Sequence, residues 1–173
     1  MHGMDAVVAI GLIRMAAADR VLAPWQRPSD ERLVQLGLDA LLADVEAPSL
    51  ALLAGLGRNE YHEAPELFER VLEELGLLPL MPEDLAEARW IVALWWARRI
   101  LERDLDPLCG AKLIRLEVAA ELDYPDILQP IVDLAMMIEP LDDQAQNQGN
   151  VRGDVIAAAQ AFLNAETHRR DSA

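Results

Sequence analysis

The sequence predicts an all-α fold, a single-domain helical bundle or orthogonal array of about seven to eight helices. Apolar residues recur every three or four positions along most of the chain, which is the spacing of a helix face. The ten prolines and nine glycines fall mainly between these segments, where they end helices. No stretch alternates apolar and polar residues for long enough to predict a strand. With 173 residues, the chain fits one domain spanning residues 1–173.

Proline, glycine and capping residues set the predicted helix boundaries. The first helix is either part of the bundle or an extension of it. Ser29 and Ser49 are predicted N-caps, and Gly76 is a predicted helix end. The polar segment 141–150 is predicted to be a mobile loop. The predicted helices span about residues 5–22, 30–45, 50–55, 65–75, 83–104, 107–122, 126–138 and 152–168.

The second predicted helix carries many apolar residues, which we expect to form one wide stripe. This stripe consists of Leu33, Val34, Leu36, Leu38, Leu41, Leu42 and Val45.

The fifth predicted helix, residues 83–104, is expected to be the longest and to form the buried centre of the fold. Its segment Trp90–Ala97 is apolar on all sides. The tryptophans leave two alternatives, because they cannot all face one wall of a core. Either the helix is surrounded by protein, or a tryptophan reaches the surface and marks an interface. The candidate interface residues are Trp25, Trp90 and Trp96.

The charge balance narrows the classes of partner. The chain has 30 acidic and 15 basic residues and a net charge of −15. Nucleic acids and anionic membranes are therefore not expected as partners, because both need clustered cations. The single cysteine, Cys109, allows neither an internal disulfide nor a cysteine-based zinc site. No apolar run is long enough to cross a membrane, and we expect a cytoplasmic protein.

Catalytic signatures are scarce in this sequence. It lacks a phosphate-binding glycine loop, a nucleophile elbow and a paired-histidine zinc motif. The weak catalytic candidates are His62, Glu66 and Tyr61, because His62 and Glu66 are four residues apart and could share a helical face. A solvated helix start, with Glu63 and Glu66 placed for the helix dipole, explains the same residues better. No cofactor and no metal ion is predicted.

These observations favour a non-enzymatic, acidic protein-interaction module, of the kind represented by antitoxins, immunity proteins and regulatory partners. Its expected partner is another protein, which a basic surface would suit, or a second copy of the chain. The alternative is a small enzyme or ligand-binding bundle that uses carboxylates together with Tyr61 and His62. A pocket with converging polar groups would distinguish that alternative.

Overall fold

The computed structural model describes residues 4–21, 25, 27–138 and 145–172, with the backbone alone for 145–148. These residues contain eight α-helices and no strand, so the all-α prediction is confirmed. The helices are α1 (Ala6–Asp19), α2 (Asp30–Leu42), α3 (Pro48–Ala54), α4 (Ala64–Glu74), α5 (Pro82–Leu101), α6 (Pro107–Leu113), α7 (Gln129–Ile138) and α8 (Ala145–Asp171). Short 3₁₀ helices span Arg58–Glu63 and Asp126–Leu128, and a π-helix spans Ile114–Ala119.

The chain divides into two compact units, residues 1–91 and 92–173. In the first unit, α2 packs against α1, α3 and α4, and α3 also packs against α4. Phe68 of α4 has no exposed surface, and Leu33 of α2 and Leu50 of α3 are also buried. The helices are short, so their stability comes mainly from this shared apolar core rather than from helix propensity.

In the second unit, α6 packs against α7 and α8, and α7 packs against α8. Ile114, Leu128 and Val155 are completely buried in this unit. The sequence predicted one helix over residues 107–122, but the regular α-helix ends at Leu113 and a π-helix follows it. The side-chain pattern does not distinguish the two, since a π turn widens a helix without ending it.

Helix ends marked by proline or glycine lie where the sequence placed them. α5 begins at Pro82 with Glu83 and Asp84 in its first turn, as predicted. Gly76 has a φ of 67°, and Leu77 N–H donates to the Leu72 carbonyl at 3.0 Å, which closes α4 in a Schellman arrangement. The apolar pattern therefore predicts where the helices lie, and proline and glycine predict where these helices begin and end.

Two further predictions differ from the structure, the start of the last helix and the identity of the longest one. α8 begins at Ala145, inside the segment 141–150 that was predicted as a loop, and residues 141–144 lie outside the described residues. Polarity alone suggested a loop there, but glutamine and alanine are compatible with a solvated helix. With 27 residues, α8 is longer than α5, which has 20, so the prediction that the fifth helix is the longest was wrong.

None of the helices in the described part of the chain is both long enough and apolar enough to span a bilayer.

Candidate functional site

Four leucines on α2 and α3 are exposed, and together they define what we call the leucine surface. Leu42 is 74% exposed and Leu52 is 58% exposed, while Leu38 and Leu41 are less open to solvent. The predicted stripe of seven apolar residues is therefore buried only in part, because Leu38, Leu41 and Leu42 are exposed. Leu42 lies nine residues after Leu33, about two and a half helical turns, and so occupies the opposite side of α2.

The core side of α2 packs closely on α3. A Cβ atom placed on Gly37 would lie 2.8 Å from Leu53 Cγ, so the backbone of α2 lies directly against the Leu53 side chain. In the sequence, Leu38 follows Gly37 and Leu52 precedes Leu53. The exposed leucines thus belong to one hairpin whose inner side is fixed by close packing.

The turn between α2 and α3 is closed by backbone hydrogen bonds. Asp44 has a φ of 62°, and Val45 N–H donates to the Ala40 carbonyl at 3.0 Å. Asp44 N–H donates to the Leu41 carbonyl at 3.2 Å, which completes a Schellman motif. Val45 is buried after this turn. The end of α2, with Leu41 and Leu42, is therefore held in one conformation.

The start of α3 is capped from a distant position. Its N-cap residue, Ala47, has no side chain that can accept a hydrogen bond. Instead, Glu74 Oε1 accepts a hydrogen bond from Ser49 N–H at 2.8 Å, and Glu74 Oε2 accepts one from the Ser49 hydroxyl at 3.0 Å. The sequence correctly marked Ser49 as important for this helix start but wrongly as its N-cap. A carboxylate at a helix N-terminus also complements the helix dipole.

The part of the hairpin that carries the leucine surface is acidic. Residues 33–57 contain Asp39, Asp44 and Glu46 but no lysine or arginine. Asp39 accepts a hydrogen bond from the Gln35 amide at 2.9 Å. None of these three carboxylates forms an ion pair with a described residue. This part of the chain therefore combines exposed leucines with carboxylates that form no ion pair with a described residue.

The predicted catalytic candidates lie in the 3₁₀ helix and the first turn of α4. His62 is exposed, and its Nε2 atom lies 3.9 Å from Glu63 Oε1. Glu66 interacts with Arg70 at 3.0 Å. Tyr61 is partly buried. Glu66 is thus paired with Arg70 and His62 lies beside Glu63, an arrangement typical of a solvated helix start.

Among the described residues, no three or more histidine, cysteine, aspartate or glutamate side chains cluster in a way that could hold a metal ion.

The tryptophans have different environments. Trp25 is 84% exposed, whereas Trp96 is 6% exposed and belongs to the core. Trp90 is partly buried, and so is Trp95. The guanidinium of Arg99 lies 4.9 Å from the centre of the Trp95 ring, within the range of a cation–π interaction. Of the three candidate interface residues, Trp25 therefore presents the most open ring.

A small cleft in the second unit has a volume of about 140 Å³. Glu166 is 3% exposed there and accepts hydrogen bonds from Arg169 at 2.7 and 3.2 Å. This hydrogen bond and the charge of Glu166 raise the pKa of Arg169. Pockets for small molecules are usually about 300–1,000 Å³, so this cleft is small by comparison. The cleft is lined by Leu94, Arg98, Leu163, Glu166, Thr167 and Arg170, and by none of the predicted catalytic residues.

The start of α6 is linked to α8 by one ion pair. Asp106 is the N-cap of α6, and its Oδ2 atom accepts a hydrogen bond from Cys109 N–H at 3.2 Å. Its Oδ1 atom accepts one from Arg152 Nε at 3.0 Å. Partial burial alone would raise the pKa of Asp106, but the hydrogen bonds from Arg152 and Cys109 and the charge of Arg152 lower it.

No protein-family model matches this chain, and no characterised sequence or solved structure is significantly similar to it.

Proposed function

We propose that the chain is a protein-binding module that holds another protein on the leucine surface. The proposal is based on the exposure of Leu42 and Leu52, on a hairpin whose helices pack tightly where Gly37 meets Leu53. Single exposed leucines are ordinary, but several on one hairpin favour an interaction site, since exposed apolar patches mark such sites. Such a module acts by occupying its partner, as an antitoxin, an immunity protein or a regulatory subunit does.

The hairpin is suited to this role because it is organised before binding. Glu74 fixes the start of α3 through Ser49, and the Schellman motif around Asp44 fixes the end of α2. A surface that is already ordered loses less conformational entropy when a partner binds. Most of the free energy gained by burying the exposed leucines against the partner would then appear as affinity.

The test compares proteins captured from a lysate of the source cells by three forms of the chain. These are the natural sequence, the variant Leu42→Ser/Leu52→Ser, and the control Met136→Ser/Met137→Ser, which removes two exposed apolar side chains from α7. Quantitative mass spectrometry should find a stoichiometric protein that the leucine variant loses and the methionine variant retains. If the leucine variant captures the same proteins in the same amounts, the proposal is wrong.

A further inference from the structure

We infer that the occupant of the leucine surface is a cationic amphipathic helix of another protein. This inference rests on the proposed function and adds the chemical class of the partner. It is based on two features of the same hairpin, the spacing of its exposed leucines and its carboxylates, which form no ion pair with a described residue.

The leucine spacing fits a helix. Leu38, Leu41 and Leu42 stand at positions i, i+3 and i+4 of α2, which is the pattern of anchors in helix–helix contacts. Leu52 is also exposed, on α3 of the same hairpin. An extended peptide usually binds by adding to the edge of a sheet, and the described residues contain no strand. An amphipathic helix is therefore the peptide structure that this surface suits best.

The carboxylates determine the charge of that helix. Asp39, Asp44 and Glu46 stand between and around the exposed leucines, and the same stretch of chain supplies no base to neutralise them. Lysine or arginine at the border of the partner's apolar face would meet these carboxylates. Such complementarity speeds association and excludes partners of the wrong charge.

The same charges argue against a second copy of the chain. A two-fold symmetric dimer would bring the leucine surface against itself, because such an interface uses the same patch on both subunits. Asp39, Asp44 and Glu46 would then meet a surface that carries the same three carboxylates. Each chain also has a net charge of −15, which adds to the repulsion.

The experiment uses three synthetic helical peptides with an identical leucine face. Their polar face carries arginine and lysine in the first, glutamine in the second and glutamate in the third. Fluorescence anisotropy measures binding to the full chain at low and moderate salt. We expect the cationic peptide to bind at least about tenfold more tightly than the glutamine peptide, with an advantage that shrinks as salt screens the charges.

Paired variants locate the charge effect. Asp44→Asn/Glu46→Gln should weaken the cationic peptide at least about fivefold and leave the glutamine peptide unchanged. Asparagine tolerates the left-handed backbone at position 44. The control, Glu121→Gln/Asp154→Asn, removes the same charge from exposed sites in the second unit and should leave both affinities unchanged. Circular dichroism confirms that each variant is folded.

Several results would overturn the inference. If the glutamine peptide binds as tightly as the cationic one and still needs Leu42 and Leu52, the charge assignment fails while the proposed function stands. If Asp44→Asn/Glu46→Gln and Glu121→Gln/Asp154→Asn weaken binding of the cationic peptide equally, the effect comes from the net charge of the chain and not from the leucine surface. If no peptide binds, the helix assignment fails, whereas the leucine-dependent capture decides the proposed function. A dimer that Leu42→Ser/Leu52→Ser dissociates, seen by sedimentation, would identify a second copy as the occupant.

Discussion

The backbone of Gly37 lies directly against the side chain of Leu53, with only 2.8 Å between Leu53 Cγ and the position that a Cβ on Gly37 would occupy. Leu53 is buried, so its side chain has little room to move. This contact holds α2 and α3 together beneath the leucine surface. A glycine inside a helix usually lowers its stability, and here the close approach of the two helices explains its presence.

Gly37→Ala should therefore destabilise the protein by about 1–3 kcal/mol, as overpacking does in a filled core. Gly153→Ala is the matched control, because Gly153 is also helical and no atom outside its own helix and neighbours lies within 4 Å of an added Cβ. That change should stabilise the protein by up to about 1 kcal/mol through helix propensity. Chemical denaturation measures both, and a Gly37→Ala variant at least as stable as the natural chain would contradict the packing described.

The leucine surface makes a prediction about stability as well as binding. Leu42→Ser should change the free energy of unfolding by no more than about 0.5 kcal/mol, because an exposed leucine contributes little to the core. Leu53→Ala should cost about 2–5 kcal/mol, as is usual for a buried leucine. Urea denaturation of the two variants tests this contrast. Equal losses would mean that Leu42 is buried and that the surface does not exist.

Removing the cap on α3 should destabilise the first unit. Glu74→Ala leaves Ser49 N–H and its hydroxyl without their acceptor and should cost about 1–2 kcal/mol. The adjacent Glu73→Ala should change stability by no more than about 0.5 kcal/mol, because Glu73 is exposed. Thermal denaturation compares the pair, and an equal effect at both positions would rule out the capping role.

The end of α5 carries an arginine in a backbone conformation that glycine adopts more readily. Arg103 has a φ of 63°, and Asp104 N–H donates to the Arg99 carbonyl at 3.0 Å in a Schellman arrangement. Arg103→Gly should stabilise the protein by about 0.5–1 kcal/mol by relieving the left-handed strain. Gly76→Ala, at the matching position after α4, should destabilise it by a similar amount. In denaturant titrations, Arg103→Gly should raise the free energy of unfolding and Gly76→Ala should lower it.

The link between Asp106 and Arg152 should make stability depend on pH. The pKa of Asp106 is lower in the folded chain, so its ion pair stabilises the protein above the ordinary aspartate pKa near 3.8 and is lost as pH falls through the folded pKa. Arg152→Gln should cost about 0.2–1 kcal/mol at pH 7, the range for a solvent-exposed pair. The difference between the variant and the natural chain should shrink as pH falls below the ordinary aspartate pKa near 3.8. A constant difference from pH 7 to pH 2, measured by urea denaturation, would contradict this.

The sequence predicted the helices well where their ends are marked by local chemistry. Pro82 and Gly76 act through their own backbone geometry, which needs no knowledge of the fold. The segment before α8 was misassigned because polar residues are compatible with both a loop and a solvated helix. Apolar character alone also failed on α2, since it cannot tell a leucine in the core from a leucine that is exposed to solvent.

The candidate site was not predictable from the sequence for the same physical reason. Which leucines of α2 are exposed depends on how the helix packs, and the contact between Gly37 and Leu53 is known only from the structure. The cap from Glu74 to Ser49 joins residues 25 positions apart, and no local pattern signals it. By contrast, the lack of bases around Asp44 and Glu46 is visible in the sequence and could have directed attention to this hairpin.

Photo-crosslinking from the leucine surface tests directly whether this surface binds another protein. A photoreactive phenylalanine analogue is placed at position 42 in the full chain, and at position 154 on the exposed side of α8 as the control. After irradiation of the source cells, we expect one protein to crosslink to position 42 and not to position 154, through a helical segment rich in lysine or arginine. If position 42 gives no crosslink, or the same crosslinks as position 154, the leucine surface is not a binding site.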